Sequence, residues 1–142
     1  MTDEQKKLML KEIGSRYPYD LYVEYIYYPI PDKGEVGIKS KGEKYFKSTA
    51  LVRGIIDNEV EIWGYGKMPV EDVKLVLRPL SSISKQEIKE LEILLDRTYN
   101  FWFNETEVIP YIDFLISHHF DYRGLIDMGL AIIDENDIYS KL

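Results

Sequence analysis

The sequence has no cysteine among its 142 residues. This absence excludes thiolate catalysis, iron–sulfur clusters, cysteine-ligated zinc and a disulfide scaffold. It also has no stretch that approaches the ~18 consecutive apolar residues of a membrane span, and its first residues lack the apolar core of a signal peptide. We therefore predict a cytoplasmic protein that does not associate with a membrane.

Motifs for phosphate binding and nucleophilic catalysis are also missing. Neither GxxxxGK[ST] nor GxSxG occurs, and the segment 63–69 (WGYGKMP) lacks the spacing of a dinucleotide fingerprint. The only histidines, His118 and His119, are adjacent, so on a helix they point about 100° apart and cannot chelate one metal ion. We assign no catalytic residue, no metal site and no cofactor.

The charge balance argues against general binding to nucleic acid. The chain has 18 basic and 25 acidic residues, a net charge of -7. One segment, Lys33 to Lys47, is instead locally basic, and the stretch 29–44 around it is rich in proline, glycine and lysine, which is typical of an exposed connection between strands. An alternative is that this segment makes weak contact with single-stranded nucleic acid or an acidic partner.

The N-terminal half has the signals of one helix and three strands. Thr2 and Gln5 have the spacing of a capping box, which predicts a helix over about 3–13 that ends at Gly14. Alternating residues predict a strand over 19–28, stopped by the prolines that follow.

A hairpin is predicted around Asp57-Asn58, because both residues tolerate a positive φ in a tight turn. Its strands are 45–56 and 59–65. In the expected register, Ile55 lies opposite Val60 and Arg53 opposite Ile62, with Val52 opposite Trp63 across the other face.

The C-terminal half is mainly helical in pattern. The segment around 73–77 is either a helical turn or an extended connector. A second capping box, Ser84 with Glu87, predicts a helix over about 85–96. A third helix begins either after Asn104 or at Pro110 and ends near Phe120.

These elements predict an α+β fold. We expect a small antiparallel sheet of three to four strands, packed against two to three helices as a single pair of layers. No long Gly/Ser linker separates the halves, so residues 1–142 are predicted to form a single domain. Its N-terminal helix and sheet would span about 1–67, and its mainly helical part about 68–142.

Aromatic residues are abundant: 12 Tyr, 5 Phe and 2 Trp. Six of the tyrosines lie between residues 17 and 28, too many for all to be interior. Some are ordinary sheet packing, and others are expected on a stacking or protein-binding surface.

Three motifs carry a resemblance: RYPY (Arg16 to Tyr19), LRPLSSIS (Leu77 to Ser84) and DYRGLIDMGLA (Asp121 to Ala131). With them the chain resembles a set of small uncharacterised proteins of gut anaerobes and their prophages. The resemblance implies a stand-alone accessory protein of mobile or phage-derived DNA.

Within these motifs, Arg78 and Arg123 are cations near turns that could bond helix-end carbonyls or a carboxylate. If a ligand site exists, we expect it where Arg78, Tyr122 and Arg123 converge, with His119 as a fourth candidate. We favour a non-enzymatic protein-binding or adaptor protein with an unidentified protein partner.

An alternative is a hydrolase-type enzyme that uses His119 with Asp113 or Asp121. His119 also has a simpler, structural interpretation, since a histidine near a helix C-terminus interacts favourably with the helix dipole.

Overall fold

The computed structural model describes residues 1–27, 45–99 and 105–141. These residues form three α-helices and a six-stranded mixed sheet, so the α+β class is confirmed. The prediction of three to four antiparallel strands is wrong, because it missed three short strands. Two of these lie after residue 65, and the third is near the C-terminus.

The chain divides into two compact units, Met1–Leu75 and Val76–Leu142. This boundary lies further along the chain than the expected change at about residue 67. A single domain over 1–142 stays a prediction.

Five strands begin in the first unit and one lies near the end of the chain. They are β1 (Tyr22–Tyr27), β2 (Phe46–Ile56), β3 (Glu59–Ile62), β4 (Gly66–Pro69), β5 (Val73–Leu77) and β6 (Ala131–Ile133). The strand order in the sheet is β4-β3-β2-β1-β5-β6. The ladders of β1 with β2, β1 with β5, β2 with β3 and β3 with β4 are antiparallel. The segment around 73–77 is therefore extended, one of the two alternatives for it.

The first helix, α1 (Asp3–Arg16), begins with the predicted capping box. The Gln5 amide donates to the Thr2 hydroxyl at 3.1 Å, and the Thr2 amide donates to Oε1 of Gln5 at 3.0 Å. The predicted end at Gly14 is wrong, because the helix continues to Arg16. Pro18 then directs the chain into a 3-10 turn over Tyr17–Tyr19, and Asp20 adopts the left-handed conformation (φ 59°) that was expected of Gly14.

The hairpin of β2 and β3 has the predicted turn, with φ of 52° at Asp57 and 62° at Asn58. Ile55 pairs with Val60 as expected, but Val52 pairs with Ile62. The expected pairs of Arg53 with Ile62 and Val52 with Trp63 are wrong because the register shifts between Val52 and Gly54, which leaves Arg53 as the extra residue of a bulge. The shift keeps Val52 and Ile62 on the buried face.

The core of the first unit lies on one face of these strands. Residues on that face alternate along each strand and are buried together with Met9 and Ile13 of α1. They include Leu21, Val23, Val52, Val60, Ile62 and Leu75. The Cδ1 atom of Ile55 lies 3.7 Å from the position of a Cβ on Gly14, so the helix packs closely on β2.

Two glycines make the turn between β3 and β4. Gly64 has φ 79° and Gly66 has φ 114°, values that L-residues rarely adopt. They reverse the chain so that the short edge strand β4 can pair with β3, with Pro69 at its end.

We expect Gly66→Ala to lower the free energy of unfolding by about 1–3 kcal/mol, because the added Cβ forces a strained φ. The added Cβ meets no atom within 4 Å, so the loss of stability comes from the strained backbone and not from a clash. Urea denaturation measures the change in the free energy of unfolding. The matched control is Gly54→Ala, where φ is not positive and no atom lies within 4 Å. A loss as large in Gly54→Ala as in Gly66→Ala would contradict this explanation.

The second unit contains α2 (Lys85–Tyr99) and α3 (Glu105–Ser117), which contact each other. Helix α3 begins at Glu105, so of its two predicted starts the earlier is correct, and Pro110 lies inside the helix. Asn104, the expected cap, lies outside the described residues. The hydrophobic cluster of this unit consists of Phe114, Leu115 and Phe120, against which Leu91 and Leu94 of α2 pack. Within the described ranges, no helix has the length and apolar character needed to cross a bilayer.

Candidate functional site

Arg78, the first of the predicted site residues, follows β5 and forms a two-pronged ion pair with Glu87. Both terminal nitrogens of its guanidinium donate to the carboxylate at 2.7 Å. The guanidinium carbon also lies 4.3 Å from the centroid of the Phe120 ring. The cation is therefore fixed between a carboxylate and an aromatic ring.

The motif LRPLSSIS has a local explanation. Pro79 holds the chain extended before a 3-10 turn over Leu80–Ser82. Ser84 then caps α2, since its hydroxyl accepts from the Glu87 amide at 3.1 Å while Oε1 of Glu87 accepts from the Ser84 amide at 3.0 Å. Glu87 thus serves the capping box and Arg78 together. The hydrogen bond from Arg78 lowers the pKa of Glu87 to about 2.

His119 lies at the C-terminal end of α3. It adopts φ 59°, its amide donates to the Ile116 carbonyl, and the Phe120 amide donates to the Leu115 carbonyl. This is a Schellman motif with histidine at the position that glycine usually takes. The imidazole is buried and stacks on the Tyr139 ring, with centroids 4.1 Å apart. The predicted position near a helix C-terminus is confirmed.

The motif DYRGLI forms a turn around the Asp121 carboxylate. Its two oxygens accept the amides of Leu125 and Ile126 at 2.8 and 3.0 Å. Gly124 adopts φ 75° within this turn. Tyr122 and Arg123 lie side by side, with the guanidinium carbon 5.1 Å from the tyrosine ring centroid.

The four predicted site residues are neighbours in the backbone, but their functional groups have separate uses. The Arg78 amide donates to the His119 carbonyl, and the Asp121 amide donates to the Arg78 carbonyl, each at 2.9 Å. Their side chains then diverge: Arg78 binds Glu87 and Phe120, whereas His119 stacks on Tyr139. Arg123 is exposed. The LRPLSSIS and DYRGLIDMGLA motifs therefore stabilise the second unit.

The alternative catalytic pairs gain no support from this geometry. Asp113 is exposed on α3, whereas His119 is buried. Both oxygens of Asp121 already accept backbone amides. Among the described residues, no group of three or more His, Asp or Glu side chains could hold a metal ion.

A different set of residues forms an exposed surface on the first unit. Four aromatic rings from β1, β2 and the β3–β4 turn make one contiguous aromatic cluster: Tyr25, Tyr27, Phe46 and Tyr65. The ring centroids of Tyr27 and Phe46 are 5.6 Å apart, those of Tyr25 and Tyr27 are 5.8 Å apart, and those of Tyr25 and Tyr65 are 5.2 Å apart. Phe46 and Tyr65 remain 47% and 48% exposed.

The strand register explains why these rings meet. Tyr25 and Tyr27 follow Leu21 and Val23 on the same face of β1, and Tyr27 pairs directly with Phe46. The face is buried at Val23 and becomes accessible toward Tyr27. Tyr65 reaches Tyr25 from the turn that Gly64 and Gly66 permit.

No protein-family model matches this chain, and neither a curated protein nor a solved structure is significantly similar to it.

The sequence predicts surface rings on the tyrosine-rich strand, but it does not single out Tyr65 and Phe46. The signal for Tyr65 is the pattern Gly64-Tyr65-Gly66, since two glycines that flank an aromatic residue between strands favour a tight turn with the ring at its tip.

Most of the predicted basic segment, Lys33 to Lys47, lies outside the described residues, as do the prolines expected to stop β1. Its last residue, Lys47, lies on β2 with its side chain on the face opposite Phe46. Its ammonium lies 3.8 Å from the Glu24 carboxylate.

A second surface feature of the first unit is an open cleft of about 590 Å³ beside α1. Lys6 and Glu71 form a 2.8 Å ion pair in it. Their hydrogen bond raises the pKa of Lys6 and lowers that of Glu71. The charges of the cleft are mixed and both partners are exposed, so it selects no ligand class.

Proposed function

We propose that the protein is a non-enzymatic protein-binding or adaptor protein of prophage or mobile-element type, and that the aromatic cluster is its binding surface. The single observation that carries the proposal is the continuous set of ring contacts that joins Tyr25, Tyr27, Phe46 and Tyr65, in which the two outer rings, Phe46 and Tyr65, stay about half exposed. Tyrosine is enriched in protein interfaces because its rigid ring buries a large area at little entropic cost, and its hydroxyl can still find a partner.

The position of the rings supports this proposal. Interior packing would place them with Leu21 and Val23, which are fully buried on the same face. Instead the apolar face continues past the part that is buried, and large rings occupy it. A contiguous exposed patch of this kind commonly marks an interaction site.

The test is site-specific photo-crosslinking in host cells. A photoreactive phenylalanine analogue at position 65 is expected to yield a discrete protein adduct, which is then identified and purified. The matched control is position 63, because Trp63 is exposed in the same turn but packs against Arg53 at 4.9 Å. Equal adducts at both positions, or binding of the purified partner that Tyr65→Ala leaves unchanged, would contradict the proposal.

Weak binding of single-stranded nucleic acid is the second candidate. The specific observation in its favour is that Phe46 of the aromatic cluster lies within the last part of the Lys33 to Lys47 segment, and exposed rings can stack bases. It predicts that oligo(dT) binding weakens steeply as salt rises, by a slope of roughly -0.7 per phosphate contacted. Fluorescence anisotropy at two salt concentrations measures this, and salt-independent binding would exclude it.

A further inference from the structure

We propose that a second surface of the first unit binds single-stranded nucleic acid, with phosphates on four cations and a base on Trp63. This surface, the cationic face, lies on the side of the strands opposite the buried core. Its residues are Lys47, Arg53, Trp63, Lys67 and Lys74. The inference goes beyond the proposed function, because the aromatic cluster lies on the other face of the same strands.

The first part of the cationic face surrounds Glu61 of β3. Glu61 lies between two buried residues of its strand, so its side chain is on the opposite face. Lys67 of β4 is directly across from Glu61, and Nε of Arg53 lies 3.5 Å from the carboxylate. The guanidinium carbon of Arg53 also lies 4.9 Å from the centroid of the Trp63 ring. A cation and an indole therefore lie side by side here.

The second part surrounds Glu24 of β1 in the same way. Lys74 of β5 pairs with Glu24 across the ladder, and the Lys47 ammonium lies 3.8 Å from the carboxylate. Each of the two carboxylates thus has a cation on both sides, and each part carries one net positive charge. Glu59, the third acidic residue of β1 to β5, lines the cleft beside α1.

The cations are more accessible than the carboxylates. The side chains of Lys47 and Arg53 are 54% and 60% exposed, whereas the carboxylate side chains beside them are 23% and 21% exposed. The ion pairs are also long, at 3.8 and 3.5 Å, compared with the two 2.7 Å bonds that hold Arg78. Exposed ion pairs of this kind contribute little free energy, so the cations can turn to a phosphate at small cost.

The spread of the cations favours a polyanion. In the strand order β4-β3-β2-β1-β5, Lys67 and Lys74 lie on the two outermost strands. At ~4.8 Å between neighbouring strands, their backbones are about 19 Å apart. A single phosphate group cannot contact both residues, whereas successive phosphates of one nucleic-acid strand can.

Trp63 selects single-stranded nucleic acid among the polyanions. It is 57% exposed and lies beside the Arg53 cation. An exposed aromatic ring stacks unpaired bases whatever their sequence, and a nearby arginine adds to the attraction. An acidic polypeptide has no base to stack, and the bases of a duplex are already stacked on each other. The net charge of -7 also argues against general binding to duplexes.

The experiment measures binding of the full chain to fluorescein-labelled oligo(dT) of about 15 nucleotides by fluorescence anisotropy over a range of salt concentrations. Four phosphate contacts predict a slope of roughly -3 in log K against log salt. Lys67→Gln combined with Lys74→Gln is expected to make this slope shallower by about 1.4. The matched control is Lys7→Gln combined with Lys11→Gln, which removes two exposed lysines of α1 and should leave the slope unchanged.

Variants of the indole test the stacking contact. Trp63→Ala is expected to weaken binding at least about fivefold, the effect of losing one stacked base, and Trp63→Phe should weaken it less. The matched control is Tyr65→Ala, which removes an exposed ring from the other face and should leave the affinity unchanged. Circular dichroism confirms that each variant is folded.

Four results would overturn the inference. They are the absence of saturable oligo(dT) binding, a salt slope that the Lys67 and Lys74 variant leaves unchanged, equal losses in Trp63→Ala and Tyr65→Ala, and equal affinity for a decaglutamate peptide. Loss in Tyr65→Ala alone would assign the nucleic acid to the aromatic cluster, and equal decaglutamate binding would assign the cationic face to acidic polypeptides. Photo-crosslinking at position 65 tests the proposed function separately, so each proposal can fail alone.

Discussion

Arg16→Met is expected to lower the free energy of unfolding by about 3–5 kcal/mol, the typical cost of removing one partner of a buried ion pair. The Arg16 side chain is 0% exposed and that of Glu12 is 1% exposed, and Nε of Arg16 donates to Oε2 of Glu12 at 3.1 Å. The substitution leaves the Glu12 carboxylate buried without this counter-charge. Urea denaturation monitored by circular dichroism measures the loss.

A double-mutant cycle identifies the cause. Glu12→Gln is expected to be destabilising for the same reason, whereas Glu12→Leu combined with Arg16→Met removes both charges and should lose less than the sum of the single changes. Strictly additive losses would mean that the two side chains stabilise α1 independently. The pair also explains the arginine of the RYPY motif, since it joins the last turn of α1 to the buried interior of the first unit.

The parts of the fold that depend on neighbouring residues were predictable. Both capping boxes and the Asp57-Asn58 turn form as expected, because each depends on contacts between residues at most three apart. The end of α1 was not predictable in this way. Gly14 resembles a helix terminator, but the buried pair that includes Arg16 favours another turn of helix, and burial is a tertiary property.

Strand pairing was predicted only in part for a similar reason. The bulge at Arg53 keeps Val52 and Ile62 buried together, which alternation alone does not reveal. Strand β4 contains Gly66 and Pro69, residues that are depleted in strands, and it forms because β3 offers an edge.

The predicted site residues stay a prediction, and their observed contacts could not be predicted from the sequence. Arg78 and His119 were expected near a ligand, yet each has a structural contact, with Glu87 and Tyr139 respectively. A single sequence cannot distinguish an arginine that binds a ligand from one that binds a carboxylate nine residues away. The aromatic cluster joins Tyr27 to Phe46 across a strand pair and adds Tyr65 from a turn, so it exists only once the register is known.

Glu87→Gln is expected to remove roughly 2–3 kcal/mol of stability at pH 7 and almost nothing at pH 2. The hydrogen bond from Arg78 lowers the pKa of Glu87 from 4.5 to about 2. Because the folded-state pKa is depressed, the stabilisation is complete above pH 4.5 and is lost as the pH falls toward 2. Glutamine can still accept the Ser84 amide, so this variant removes the charge and keeps the cap.

The test measures the unfolding free energies of the wild type and of Glu87→Gln at a series of pH values. The difference between them is expected to shrink as the pH falls from 4.5 toward 2. Arg78→Met should give a similar profile, and the double variant Arg78→Met with Glu87→Gln should add little to either single change. The matched control is Glu71→Gln, whose partner Lys6 lies at the same short range but in an exposed pair, so its profile should be nearly flat. A pH-independent loss in Glu87→Gln would mean that the carboxylate acts through shape and capping. Its ion pair with Arg78 would then be incidental to the stability of the second unit.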